Sequence, residues 1–234
     1  MDQRLTHART AGLAYLALGI TGMLGFLVVR PRVVAAGDPA ATLANLVENP
    51  MLARWGVALE LGIVLSQALV AVAFYRLFRS VNPSSAWALA AFGMVNAVAI
   101  LASSVMYAGA LAVSSDAALV ADPVGTVHVL FTLSEGFWAA GNLFFGLWLV
   151  PMGLLVLASG WMPRPLGWVL VVGGIGYVLA GLVPVLAPGA PALVAEALTA
   201  PATVGEFWMI AYLLVRGVRR DAPIARNLEA AVAA

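Results

Sequence analysis

Cysteine is absent from this 234-residue chain. That absence excludes disulfides, Cys-ligated zinc, iron–sulfur clusters, c-type haem attachment and a thiol nucleophile together. Lysine is absent as well, so the 12 basic residues are all arginine, and a Walker-type Gly-Lys phosphate loop is excluded. His7 and His128 are the only histidines. Two rule out a three-histidine zinc site and leave a bis-histidine haem without support. Neither HExxH nor GxSxG occurs. Charge is scarce too, at 10% of residues with a net of +1. No broad field of either sign is available to attract nucleic acid or an acidic partner. Neither a metal nor another cofactor is expected.

What the chain has in excess is apolar surface: 63% hydrophobic residues and a mean hydropathy of +0.99. Soluble domains run at about 45–50% apolar and roughly 25% charged. A body of this size in water must still be clothed in polar groups, and this chain has too few. A lipid surrounding removes the requirement. A hydrocarbon core about 30 Å thick takes about 20 apolar residues per helix, and six segments qualify: about 11–29, 55–74, 86–108, 137–159, 166–186 and 193–215. The expected fold is therefore all-α, a single polytopic membrane helix bundle. The first span is too long for a signal peptide and is followed by Arg30-Pro31-Arg32 and further spans.

Arginine placement sets the expected orientation. Nine arginines (4, 9, 76, 79, 164, 216, 219, 220 and 226) fall on one side of these spans. Arg30, Arg32 and Arg54 fall on the other. Both termini are thus expected in the cytoplasm. Asp38-Pro39 and Asp122-Pro123 each pair an N-cap residue with a proline suited to the first helical turn. Leu43, Leu46 and Val47 then mark a short amphipathic helix over about 39–48 on the outer surface. From Val124 the apolar pattern runs unbroken into the fourth span, a helix of about 54 Å, which must project, tilt or kink at Pro151. Trp55, Trp87, Trp161 and Trp168 fall at predicted interfaces and read as an aromatic belt. Gly173, Gly174, Gly176 and Gly181 allow close helix approach in the fifth span. The tail from Asp221 to Ala234 reads as frayed or unstructured.

Ionisable residues inside a membrane are costly and are site candidates by default. Glu206 stands ten residues from Arg216, about 15 Å deep and so near mid-bilayer. Glu60 stands six residues from Arg54, about 9 Å in from the outer face. Gln67 and Asn96 lie near mid-depth, where either, or a backbone carbonyl, could serve as hydrogen-bond partner to Glu206. On the fourth helix His128, Thr132, Glu135, Ala139, Asn142 and Gly146 are spaced 4, 3, 4, 3, 4, which places them on one face. The stripe lines an outward cavity in one reading. In the other, Ala139, Asn142 and Gly146 form a packing seam, and His128 and Glu135 are wet residues above the membrane.

Further residues resemble a known family. Gly37-Asp38 with Ala40-Ala41-Thr42, Arg54 and Gly56 leading to Glu60, Tyr75-Arg76-Leu77, and Val81-Asn82 carry the likeness. So do Phe144-Phe145-Gly146-Leu147-Trp148-Leu149, Pro163-Arg164, Leu166-Gly167 and Gly205-Glu206. The chain resembles family 4386 of the domain-of-unknown-function series. The resemblance implies a six-helix bacterial inner-membrane protein with acids at the Glu60 and Glu206 positions, and it implies no known activity.

The leading functional expectation is a binding protein that holds a small amphipathic or lipidic ligand. Its outward cavity would be lined by Glu60, Glu135, Asn142, His128 and Tyr107. Glu206, Asn96 and Gln67 would form an intramembrane polar core. The alternatives are an intramembrane enzyme using His128, Glu135 and Glu60, a proton-coupled carrier using Glu206, and an accessory subunit without ligand. The lipid bilayer is the expected partner, nucleic acid is not, and the composition is compatible with a homo-oligomer.

Overall fold

The structure, a computed structural model, describes residues 3–219. The tail read as frayed lies outside them. The described residues form an all-α, multi-pass membrane protein with six helices long and apolar enough to span a bilayer. These are α1 (Gln3–Val33), α3 (Pro50–Phe78), α4 (Pro83–Ser115), α5 (Pro123–Ser159), α6 (Arg164–Leu186) and α7 (Ala192–Val215). Helix α2 (Pro39–Glu48) is short. All six long helices present large apolar side chains outward, among them Leu27, Leu65, Val98, Leu133, Val185 and Val215. In water such a surface would drive association; in lipid it is the solvated one.

Local chemistry sets the helix starts. The Asp38 carboxylate accepts from the Ala41 N–H at 2.9 Å, with Pro39 in the first turn of α2. Asn82 and Asp122 cap α4 and α5 in the same way, through the N–H groups of Ser85 and Gly125. Each cap satisfies a backbone donor that the first turn leaves free. Helix α2 buries Leu46 and Thr42 and leaves Val47 exposed. Asn45 donates to the Val33 carbonyl and Thr42 accepts from the Ala35 N–H, so α2 is tied to the end of α1. Helix α5 runs through Pro151 without interruption.

Helix α1 is not uniform. Leu24–Val29 winds as a π-helix, and the Arg30 N–H bonds to the Gly25 carbonyl. Pro31, which has no N–H to give, follows at once, and the Arg32 guanidinium donates to the Val28 carbonyl at 3.2 Å. The wider winding re-aims every residue beyond it, Arg30 first.

Contacts gather in two compact units, and α1, α3, α4 and α5 each contribute to both. Among the described residues the first comprises 3–16, 67–96 and 142–219. Its core holds Tyr15, Phe74, Phe78, Trp148 and Trp161 in edge-to-face and stacked pairs. Trp161 therefore departs from the expected aromatic belt. It is buried and stacks on Phe78 at 5.8 Å, whereas Trp55, Trp87 and Trp168 are exposed. Glycine seams bring α5, α6 and α7 together. A Cβ on Gly146 would stand 2.6 Å from the Gly174 carbonyl, and one on Gly173 would collide with the backbone of Ala202. The second unit comprises residues 17–66 and 97–141, with a core that includes Val33, Leu46, Tyr107, Val127 and Phe131.

Candidate functional site

The second unit carries the densest polar cluster, and α1, α3, α4 and α5 build it. Glu60 projects from the middle of α3 and is 5% exposed. Its Oε2 accepts from the Ser103 hydroxyl of α4 at 3.1 Å. Its Oε1 accepts from the Trp138 indole N–H of α5 at 3.3 Å. Ser103 and Ser134 share a hydrogen bond at 2.8 Å. Arg30 Nη1 lies 3.7 Å from Glu60 Oε1, an ion-pair separation too long for a hydrogen bond. Its Nη2 donates to Glu135 Oε1 at 3.2 Å. The guanidinium also lies 5.7 Å from the Phe26 ring centre, within cation–π range. One arginine therefore joins two acids of unlike surroundings: the Glu60 side chain is 6% exposed and that of Glu135 60%.

Two spaces adjoin this cluster. A narrow void of about 10 Å³ is lined by Arg30, Gly56, Glu60, Ile63 and Tyr107, among others. It has room for a group no larger than one water molecule. Tyr107 packs against Gly56, where a Cβ would collide with the phenol oxygen. The Tyr107 hydroxyl and Arg30 Nη1 are buried and have no hydrogen-bond partner among the described residues. The second space is an open groove of about 200 Å³ between the Val34–Pro39 segment, Thr42 and the α5 residues His128, Phe131, Thr132 and Glu135. Drug-sized ligands occupy about 300–1,000 Å³, so the groove suits the polar end of a molecule and not the whole of one.

Glu60 and Tyr107 thus share the void, while Glu135 and His128 share the groove. Arg30 connects the two acids. Asn142 is half-buried in the first unit. The face of α5 that turns into the second unit is Val127, Phe131, Ser134 and Trp138, one residue before the predicted stripe. His128, Thr132, Glu135 and Ala139 are exposed, and Gly146 belongs to the α5–α6 packing seam. Among the described residues no three histidine, aspartate or glutamate side chains converge as metal ligands would. A metal-ligand role for His128, Glu135 and Glu60 together therefore has no donor set among the described residues.

The first unit holds a separate acid. Glu206 of α7 accepts from the Tyr15 hydroxyl of α1 at 2.5 Å. Its partner is a phenol, not Asn96 or Gln67 as expected. Those two amides are fully buried, and their side-chain nitrogens and oxygens find no partner among the described residues.

Arg30, Ser103, Ser134, Trp138 and Tyr15 were not legible as site residues. Arg30 reads as a loop residue from the sequence, because Pro31 follows it. The serines look like ordinary small residues of membrane helices. The readable signal was the spacing of Ser134 and Trp138, four apart and in phase with buried Val127 and Phe131.

The family described as a domain of unknown function (DUF4386) matches residues 10–217, a stretch that contains every residue of both clusters. No curated protein and no solved structure matches the chain.

Proposed function

The chain belongs to that family, DUF4386, and on that premise we infer that it is a ligand-binding membrane protein whose second unit receives the polar end of a small amphipathic or lipidic molecule. The observation that carries this reading is Arg30, set between the enclosed Glu60 and the open Glu135 beside a groove. A group entering the groove meets Glu135, His128 and Thr132 in its lining. It can draw Glu135 away from Arg30, and the change is felt at Glu60 through the same guanidinium. The groove's volume fits a headgroup, and the apolar flanks of the spans offer room for a tail. The arginine distribution supports an outward-opening groove with both termini cytoplasmic, and the family resemblance a bacterial inner membrane.

The test is the amphiphile content of protein purified in mild detergent, read by mass spectrometry of an organic extract. Glu60→Gln with Glu135→Gln is expected to deplete a co-purifying amphiphile severalfold. Undiminished content would count against the reading.

A second reading rests on the other acid. A carboxyl that joins two helices through a phenol is a suitable proton-carrying group for a coupled carrier. In proteoliposomes with a pH-sensitive interior dye, Glu206→Gln is expected to abolish pH-driven flux. Flux equal to that of the unaltered protein would remove this alternative.

A further inference from the structure

A third polar feature lies in the first unit. Trp208 and Tyr212 of α7, Arg216 at its C-cap and Arg219 beyond it are spaced 4, 4 and 3. With Pro163 and Val218 they line an open groove of about 500 Å³. The groove is built rather than incidental. Trp161, buried and stacked on Phe78, presents its carbonyl to two donors, the Arg219 backbone N–H at 3.0 Å and the Tyr212 hydroxyl at 3.4 Å. Gly217 adopts φ +71°, a left-handed conformation that glycine tolerates best. That turn ends α7 and brings the chain back, with Val218 buried and Arg219 fastened to the 161–163 segment.

The side chains form a gradient. Trp208 offers an exposed apolar ring within the span, Tyr212 a half-buried phenol one turn later, and Arg216 and Arg219 exposed guanidiniums at the end. Among the described residues neither guanidinium has an acidic partner. The nearest acid on α7 itself is Glu206, which is engaged by Tyr15; Asp221, two residues after Arg219, lies outside the described residues. Glu196 stands twenty residues before Arg216, about 30 Å along the helix.

We propose that this groove binds the phosphate headgroup of an anionic phospholipid, with Arg216 and Arg219 on the phosphate and Trp208 along the first acyl carbons. The C-terminal end of a helix repels anions, so the two arginines, not the helix, must hold the charge. A free phosphate ion would satisfy the guanidiniums equally but makes no use of the tryptophan face, and this favours the lipid.

The test uses the full chain in nanodiscs of equimolar phosphatidylglycerol and phosphatidylcholine, with retained lipid read by native mass spectrometry. The protein is expected to retain phosphatidylglycerol preferentially. Basic side chains that engage an anionic headgroup contribute about fivefold each, so Arg216→Gln with Arg219→Gln should lower the preference by about 25-fold. Arg219→Gln alone keeps the backbone bond to Trp161 and should lower it by about fivefold, so the test survives if the double variant is unstable. Arg164→Gln removes an exposed arginine outside the groove and should leave the preference in place. Equal retention of the two lipids, or a double variant with undiminished preference, would overturn the proposal. So would displacement of the lipid by excess inorganic phosphate, which would mark a phosphate-ion site instead.

Discussion

Arg30 holds its two acids under different conditions, and substitutions should separate them. Removing one partner of a buried pair strands the other and costs about 3–5 kcal/mol. The Arg30 side chain is 17% exposed, so Arg30→Gln should cost somewhat less, roughly 2–4 kcal/mol. Glu135 is mostly in the open, and Glu135→Gln should cost no more than about 1 kcal/mol. Thermal unfolding in detergent compares the two; equal losses would mean that the Glu60 contact contributes little. The sequence marked Glu60 and Glu206 as acids in apolar spans but could not supply their partners. Arg30 lies 30 residues from Glu60, and Tyr15 lies 191 from Glu206. No local pattern carries pairings of that range.

Helix α5 shows how a correct period can come with the wrong phase. Both the polar stripe and its buried neighbour repeat at three and four residues, so periodicity alone does not choose between them. The polarity rule for membrane helices, polar side inward, favours the stripe of His128 and Glu135. That rule holds only inside the hydrocarbon. At 37 residues α5 is about 55 Å long, well beyond a core about 30 Å thick. Its first turns need not follow the rule, and there His128 and Thr132 face outward while Val127 and Phe131 face inward. Farther along, Gly146 sits where the helix meets α6, and its missing side chain is what lets the Gly174 carbonyl approach. Gly146→Val should force the pair apart and cost about 1–3 kcal/mol, seen as a lower detergent unfolding midpoint. An unchanged midpoint would show that the seam relaxes freely.

For the whole molecule the decisive quantity is which loops face which side, and the absence of cysteine makes it measurable, since any introduced thiol is unique. Ala117→Cys and Ala187→Cys lie in exposed turns that follow α4 and α6, and Ser80→Cys lies in the exposed turn after α3. With cytoplasmic termini, a membrane-impermeant maleimide should label the first two on intact cells and the third only after permeabilisation. The reverse pattern would invert the orientation and, with it, the side to which the Arg30 groove opens. The sequence alone determined the lipid surroundings, the six spans, the short helix and its cap, because apolar length and capping chemistry are local properties of the chain. It also marked Glu60 and Glu206, because a charge among apolar residues stands out without reference to anything distant. Only the tertiary structure decided which groups answer those acids, that π-helical winding next to Pro31 aims Arg30 at Glu60, and that α5 turns Ser134 rather than Glu135 to the buried cluster. Those outcomes depend on packing between helices far apart in the chain, where a rotation of one residue exchanges one face for another.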